Sequence, residues 1–345
     1  MPTSALRSML AALLLCIGDF VLAQPEPAPA ISEDQRMLPY AEPGQLVDIG
    51  GRRINLQCMG TNGPTVVLMS GIFSWSLIWY KTQSVIAQKA RVCAFDRANY
   101  GFSDPTPRPQ ILSEVVDDLH KALQAGSIPG PYVLVGHSYG GPVVRNFVLT
   151  YSNDVVGVVF VDGASEDGRF TMRGKAILLR SGASGRAIPV PHEAMHPGDR
   201  PDLPPSDTSK VEPIEPPFDR LPPNIQKLHS WAQSQPALSD AEESERTWSP
   251  EYFEQWHDHP QVGILGSIPL IVLTRAVGGY DDSLDIPGAQ LEAERKETQA
   301  RLAVLSKSGK NILIASGHNM QVEVPDVVVK AIRDAVDAAP TPAHP

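Results

Sequence analysis

The fold is decided by one stretch near the middle of the chain, Tyr132-Val-Leu-Val-Gly-His-Ser-Tyr-Gly-Gly141. The apolar residues at its start are typical of a strand that is buried on both faces. Gly136 and Gly140 then enclose Ser138 in a G-x-S-x-G pattern, and a helical pattern begins near Tyr139. A strand, a tight turn and a helix in this order project the Ser138 hydroxyl from the end of a buried strand.

Short apolar runs recur on both sides of this stretch and alternate with amphipathic helical patterns. We predict strands at 52–58, 65–69, 91–95, 132–135, 155–161, 268–273 and 311–315. The clearest helical patterns run over Leu112–Ala125 and Pro325–Ala338, and the second begins with a proline, which the first turn of a helix tolerates. This alternation predicts an α/β fold with a mostly parallel sheet that is covered by helices on both faces.

Residues 164–265 interrupt the alternation between two predicted strands. Of the 33 prolines, 11 fall between Pro189 and Pro223, and no buried-strand pattern appears before residue 268. So long a stretch between core strands indicates a cap or lid. Two short helices are expected at 221–235 and 241–256, and their aromatic side chains are candidates for packing on the core or for lining a pocket.

Both ends of the chain are predicted to lie outside the folded core. Residues 1–23 contain Arg7, an apolar run and Val21-Leu22-Ala23, which together predict a secretory signal peptide. The apolar run is far shorter than the about 20 residues that span a bilayer, so no stable membrane anchor is expected. Residues 24–38 and 339–345 are rich in proline and alanine and are predicted to be disordered. The core then comprises 39–163 and 266–338, in a protein expected to be secreted or periplasmic.

The composition excludes several classes of protein. Hydrophobic residues make up 42% of the chain, which is enough for one large core and far from a disordered composition. With 29 Lys and Arg against 39 Asp and Glu, the net charge is −10. Because a nucleic-acid surface requires clustered basic residues, no nucleic-acid partner is expected.

The Ser138 hydroxyl is a weak nucleophile unless a base takes its proton, so it needs a histidine. Of the nine histidines, only His318 follows a buried-strand pattern in a short glycine turn near the end of the chain. His137, beside the serine, is interpreted as a packing residue. Ser138 and His318 are therefore the candidate nucleophile and base of a covalent mechanism that needs no cofactor.

Three motifs together resemble the α/β-hydrolase family, and the likeness covers residues 45–338. Besides the G-x-S-x-G turn, Asp96-Arg-Ala-Asn-Tyr-Gly-Phe-Ser-Asp104 is similar to the D-R-x-G-x-G-x-S loop of that family, and Ser316-Gly-His318 is similar to its histidine motif. The resemblance implies an eight-stranded sheet with the cap between its sixth and seventh strands. Two departures are Asn99 in place of a glycine and Ser70-Gly71 where many members have His-Gly.

The resemblance also implies a carboxylate that holds the histidine. Asp162 follows the sixth strand, where some members of the family carry this acid. The commoner position follows the seventh strand, where Asp282 is the main alternative, accompanied by Asp281 and Asp285. We favour Asp162 and leave Asp282 open.

Two backbone N–H groups are implied as donors to the oxyanion of the reaction intermediate. They belong to Tyr139, directly after the serine, and to Ile72, in the loop after the third strand. Phe73 is the alternative to Ile72.

The family's strand order further implies a disulfide. It places the second strand, which carries Cys58, beside the fourth, which carries Cys93. The mature chain has no other cysteine, and an exported protein lies in a compartment that permits disulfides. We therefore expect Cys58 and Cys93 to be bonded, provided that their Cα atoms are close enough.

One competing motif is set aside. The run His192-Glu-Ala-Met-His196 matches H-E-x-x-H, which binds zinc only when both histidines share one face of a helix. Because Pro189 and Pro191 precede it and Pro197-Gly198 follow it, no helix and no metal site are expected there.

The residues together predict an exported serine hydrolase that cleaves small carboxylic esters through an acyl-enzyme on Ser138. Lactonases, peptidases and C–C bond hydrolases use the same residue types and remain alternatives. A noncatalytic binding protein on this fold is a further alternative, which the presence of both Ser138 and His318 disfavours.

Overall fold

The computed structural model describes residues 38–106, 108–172, 174–181, 214, 218–221, 223–233, 236–277, 280 and 284–339. The predicted signal peptide, nearly all of the two predicted disordered segments, and the proline-rich residues 182–213 lie outside these residues.

The described residues form ten strands. In chain order they are β1 Gln45–Asp48, β2 Arg53–Met59, β3 Thr65–Met69, β4 Val92–Phe95, β5 Tyr132–His137, β6 Val155–Val161, β7 Arg169–Met172, β8 Lys175–Leu178, β9 Leu270–Arg275 and β10 Gly309–Ile314. Eight of them form one sheet in the order β1-β2-β4-β3-β5-β6-β9-β10, while β7 and β8 form a separate hairpin. Only β2 runs antiparallel to its neighbours, so the predicted eight-stranded, mostly parallel sheet is confirmed.

The described residues also form eight α-helices. They are α1 Tyr80–Ile86, α2 Leu112–Ala125, α3 Gly140–Thr150, α4 Pro223–Gln233, α5 Pro236–Asp258, α6 Gly288–Ala303, α7 Met320–Glu323 and α8 Pro325–Ala338. Over this part of the chain, no helix is both long enough and apolar enough to span a membrane.

The central strands are buried on both faces, as their apolar sequences indicate. On β3, Val67 and Met69 join an apolar cluster that includes residues of α2 and α3. The alternate residues Val66 and Leu68 join a second cluster, which includes residues of α1 and α8. Successive side chains of a strand point to opposite faces, so helices cover the sheet on both sides.

Some elements carry no clear pattern in the sequence. The four-residue strand β1 and the hairpin of β7 and β8 are too short and too exposed to show an apolar run. Helix α6 was not predicted either, because its buried face carries the polar residues Arg295, Thr298 and Gln299 in place of an apolar stripe. Helix α5 begins five residues before the predicted boundary at 241 and continues through Pro250.

Aromatic side chains attach the described parts of residues 164–265 to the rest of the fold. Phe253 and Trp256 of α5 are buried in the apolar cluster of α2 and α3. Trp231 of α4 lies in a third cluster, where its ring centroid is 5.8 Å from that of Phe102. The side chain of Trp248 lies outside the described residues.

A disulfide joins β2 to β4. The antiparallel register places Cys58 directly opposite Cys93, with their Cα atoms 4.0 Å apart. The predicted pairing is thus confirmed.

Candidate active site

Ser138 lies directly after β5, at the turn into α3. Its φ is 51°, a left-handed value that is strained for a serine. Glycines make this turn possible, since a Cβ on Gly136 would lie 2.4 Å from the Gly140 carbonyl oxygen. The N–H of Ser138 donates to the Val161 carbonyl at 3.2 Å, and its carbonyl accepts from the N–H of Ala164 at 2.9 Å. The main chain therefore holds the serine in the strained turn that its motif predicts.

Asp162 occupies the corresponding position on the neighbouring strand β6. His137 pairs with Val161 at the ends of β5 and β6, so the next residues, Ser138 and Asp162, leave the sheet side by side. Asp162 also has a positive φ, 43°, and its N–H donates to the Leu273 carbonyl of β9 at 2.8 Å. Two residues with reactive side chains are thus placed together by the ends of adjacent parallel strands.

His318 reaches the same edge of the sheet from the loop after β10. Its Nδ1 lies 2.6 Å from Asp162 Oδ2, and Asp162 is buried. The Ser138 hydroxyl makes no hydrogen bond to His318 in the described part of the chain. Such catalytic contacts are often long in the absence of substrate and tighten when it binds. The structure therefore places the predicted nucleophile, acid and base, which are Ser138, Asp162 and His318, at the same edge of the sheet.

Glu323 holds the loop that carries His318. Its carboxylate accepts hydrogen bonds from the N–H of Gly317 at 2.9 Å, the N–H of Asn319 at 3.1 Å and the hydroxyl of Ser316 at 3.2 Å. Residues on both sides of His318 are thus tied to one carboxylate. Glu323 was not predicted from the sequence, because its partners are mostly backbone groups, which leave no motif.

Two arginines also lie beside the Asp162 carboxylate. Arg275 Nε is 3.5 Å from Oδ2 and Arg295 Nη1 is 3.5 Å from Oδ1. Burial opposes ionisation of Asp162, but the hydrogen bond and charge of His318, together with both arginines, outweigh it and lower the pKa of this carboxyl. Asp162 is therefore ionised at neutral pH. Neither Arg275, at the end of β9, nor Arg295, on α6, was predicted, because nothing in the sequence links either position to the end of β6.

His137 does more than pack beside the serine. Its Nε2 lies 3.1 Å from the His318 carbonyl oxygen, and the two imidazole rings are 4.7 Å apart between centroids. Burial, reinforced by His318, lowers the pKa of His137 to about 3. The ring is therefore neutral at pH 7, and an Nε2–H donor can tie the His318 backbone to the end of β5.

The segment of residues 70–73, after β3, lies against Ser138. A Cβ on Gly71 would come within 2.8 Å of Ser138 Cβ, so only glycine fits at this contact. Ile72 follows Gly71 and Tyr139 follows Ser138, which puts both proposed oxyanion donors beside the serine. The alternative donor, Phe73, has a φ of 61° and is 42% exposed.

Of the alternative acid candidates, the structure describes only Asp285. The carboxylate of Asp285 accepts a hydrogen bond from the Ala176 N–H of β8 at 2.8 Å. Asp281 and Asp282 lie outside the described residues, as does the motif at 192–196. Within the described ranges, no group of three or more His, Cys, Asp or Glu side chains is arranged to hold a metal ion.

Comparisons with known proteins give a partial match in sequence. A family model described as alpha/beta hydrolase fold matches residues 64–179. A protein of Hormonema carpetanum named as a probable transporter is 33% identical over 129 residues, which cover 35% of this chain and 18% of that protein. A cis-3-alkyl-4-alkyloxetan-2-one decarboxylase of Xanthomonas campestris is 29% identical over 113 residues, covering 30% and 38%. The chain spans less than half the length of the first curated relatives it matches.

Comparison with solved structures extends the likeness to most of the chain. A thermophilic esterase from Thermogutta terrifontis superposes with a TM-score of 0.55 at 20% sequence identity, over 87% of this chain and 100% of the esterase. At that identity the likeness concerns the fold. The family-model match, the order of the eight strands and this superposition agree, and the chain has the α/β-hydrolase fold.

Proposed function

We propose that the protein is an exported serine hydrolase that cleaves small carboxylic esters. One observation carries the proposal, namely the 2.6 Å hydrogen bond between His318 Nδ1 and Asp162 Oδ2 next to the strained turn of Ser138. A buried, ionised carboxylate on Nδ1 holds the imidazole in the tautomer whose Nε2 accepts a proton.

The proposed reaction has two halves. Ser138 Oγ attacks the acyl carbon while His318 Nε2 takes the hydroxyl proton, and the imidazolium then passes that proton to the departing alcohol. The backbone N–H groups of Ile72 and Tyr139 stabilise the oxyanion that forms on the carbonyl oxygen. A water molecule, deprotonated by His318, then attacks the acyl carbon, and the imidazolium returns the proton to Ser138 Oγ as the bond between the serine and the acyl group breaks and the acid leaves.

The test is turnover of p-nitrophenyl esters from acetate to decanoate by the protein and by Ser138→Ala. We expect the substitution to reduce kcat by at least about 10³-fold, because it removes the nucleophile. Ser127→Ala is the matched control, since Ser127 also has a positive φ but lies after α2 in an exposed turn. Full activity in Ser138→Ala would contradict the proposal.

The same assay decides among the alternative reactions. A γ-lactone and a p-nitroanilide, tested beside the esters, separate a lactonase and a peptidase from an esterase. Ester turnover at the highest kcat/KM supports the proposed substrate class, whereas preference for the lactone or the anilide contradicts it. Absence of turnover with every substrate would favour a noncatalytic binding protein.

Export is part of the proposal and is supported by two observations. Residues 1–23 have the pattern of a signal peptide, and the Cys58–Cys93 disulfide is suited to an oxidising compartment. Expression of the full chain in a Gram-negative host is expected to yield a periplasmic protein whose N-terminal residue is Gln24. A cytoplasmic product that retains Met1 would contradict export.

A further inference from the structure

Arg97 lies buried directly behind the segment of residues 70–73. Its Nη1 donates to the Ser70 carbonyl at 2.7 Å, and its Nη2 donates to the Gly71 carbonyl at 2.9 Å. The guanidinium carbon also lies 5.4 Å from the centroid of the Tyr139 ring. A single cation therefore contacts the segments that carry both proposed oxyanion donors.

The contact with Gly71 has a direct geometric effect on Ile72. The Gly71 carbonyl and the Ile72 N–H belong to one planar peptide, in which they point in opposite directions. When Arg97 holds the carbonyl on its own side, the Ile72 N–H must point to the opposite side of the segment. Because Gly71 packs on Ser138, the orientation of this one peptide decides whether the N–H reaches the substrate oxygen.

The charge of Arg97 is balanced from another part of the chain. Glu245 of α5 places Oε1 2.6 Å from Arg97 Nε, and its Oε2 accepts a hydrogen bond from the Tyr100 hydroxyl at 2.7 Å. The side chains of Arg97 and Glu245 are only 1% and 0% exposed. A buried guanidinium without its partner carboxylate is strongly unfavourable, so the position of Arg97 depends on Glu245.

Ser70 completes the support of the segment. Its hydroxyl donates to the Trp75 carbonyl at 3.0 Å and accepts from Trp79 Nε1 at 3.0 Å. These bonds hold the residue that precedes Gly71 but do not reach the Gly71 peptide itself. The Gly71 carbonyl accepts from Arg97 Nη2 and, at 3.2 Å, from the Ser74 N–H of the following turn, so Arg97 is the charged side chain that orients this peptide.

We infer that Glu245 is a positioning residue for the oxyanion hole, acting through Arg97 on the Gly71–Ile72 peptide. The inference rests on the proposed function. It gives residues 164–265 a role in the chemical step, because α5 supplies the carboxylate that keeps a donor aimed at the substrate.

The first test is Glu245→Gln, which removes the charge and preserves the shape of the side chain. We expect kcat on a p-nitrophenyl ester to fall about 10- to 100-fold with KM within twofold, since complete loss of an oxyanion donor costs about 10²- to 10³-fold. Affinity for a trifluoromethyl ketone, which forms an oxyanion adduct with the serine, should fall in parallel. A loss of stability alone would not produce this pattern.

The matched control is Asp118→Asn. Asp118 of α2 pairs with Arg52, whose side chain is 11% exposed, near the β1 edge of the sheet, so this variant also removes the charged partner of a largely buried arginine. Its kcat is expected to stay within twofold of the unsubstituted protein. An equal loss of kcat in both variants would overturn the inference, because the effect would then be general.

A second variant keeps the inference testable if Glu245→Gln fails to fold. The double substitution Arg97→Met with Glu245→Leu replaces the ion pair by apolar side chains, a change that folded proteins generally accept. It should lose at least as much kcat as Glu245→Gln. In the Arg97→Met background, Glu245→Leu should cause no further loss of kcat. A double variant with unchanged kcat would overturn the inference.

Amide hydrogen exchange separates the failure of this inference from the failure of the proposed function. In Glu245→Gln, the amides of residues 71–73 should exchange at least tenfold faster while those of β3 keep their rates, whether or not the protein hydrolyses esters. If the unsubstituted protein lacks ester turnover, the proposed function fails and exchange still tests the contact. If it is active and Glu245→Gln keeps both kcat and slow exchange, only the inference fails.

Discussion

The two halves of the candidate site are held in place by different means. The strand-end half, Ser138 and Asp162, is set by the main chain, because each residue directly follows a central strand and bonds through its N–H to the neighbouring strand. The loop half, His318 and residues 70–73, is set by the side chains of the half-buried Glu323 and the buried Arg97. The groups at the strand ends therefore depend on backbone hydrogen bonds, whereas those on loops depend on charged side chains.

This difference predicts two kinds of mutational effect. A conservative substitution in the strand-end half should remove chemistry and leave the backbone in place. A substitution of a residue that supports the loop half should reduce activity in smaller steps, because the reacting groups remain but lose their alignment.

The largest effect is expected for Asp162→Asn. An amide cannot stabilise the imidazolium and favours the wrong tautomer of His318, so kcat should fall about 10³- to 10⁴-fold with an unchanged circular dichroism spectrum. The comparison variant is Asp282→Asn, which should keep kcat within twofold. The reverse order of effects would move the acid to the loop after β9.

Glu323→Gln should have an intermediate effect. The amide can still accept one hydrogen bond, but its NH₂ group faces donors in the His318 loop, and we expect kcat to fall about 10- to 100-fold. Denaturant unfolding should show a loss of about 1–3 kcal/mol. Asp326→Asn, an exposed neighbour at the start of α8, is the control and should change neither quantity. Equal kcat for Glu323→Gln and the control would show that the loop needs no side-chain support.

Removal of the disulfide should lower the free energy of unfolding and leave kcat nearly unchanged. Cys58 and Cys93 close a loop of sequence separation 35 between two strands, and Cys93 lies level with Val67 of β3, before the strand ends that carry the site. The double variant Cys58→Ala, Cys93→Ala should lose about 2–4 kcal/mol of unfolding free energy, with kcat at 25 °C within twofold. A tenfold loss of kcat in a folded variant would contradict the separation of site and scaffold.

The smallest effect concerns His137, which joins the two halves through the His318 carbonyl. Its pKa of about 3 in the folded state lies below the ordinary value of 6.5, so the unfolded chain binds more protons between these values. The free energy of unfolding should therefore fall as the pH drops from 6.5 towards 3. The contribution of His137 to this fall is about 1.4 kcal/mol per pH unit. His137→Gln should show a shallower decline from pH 6 to pH 4. An identical slope would mean that His137 is already charged in the folded protein.

What the sequence could predict follows the same division. The sequence identifies Ser138 as a candidate because its signal is local, a buried strand with small residues around one serine. His318 is a candidate from its place after a strand and beside a glycine. The sequence could not settle the choice between Asp162 and Asp282, because the distance of an acid from His318 depends on the spacing of separate strand ends.

The roles of Arg97, Glu245 and Arg295 in supporting the site could not be predicted from the sequence, for a physical reason. Arg97 and Glu245 are 148 residues apart, and their pairing depends on the packing of α5 against the loop after β4. The buried face of α6 is partly polar, with Arg295 directed at Asp162, so the apolar pattern that normally reveals a helix is interrupted. In both cases a buried charge replaces the apolar pattern on which prediction relies.

The central claim is that Ser138 is an activated nucleophile, and covalent labelling tests it most directly. The protein is incubated with a fluorophosphonate, digested and analysed by mass spectrometry. We expect a single adduct on the peptide that contains Ser138, no adduct in Ser138→Ala, and a labelling rate reduced at least about 10²-fold in Asp162→Asn. An adduct on another residue, or equal labelling of Ser138→Ala, would contradict the assignment.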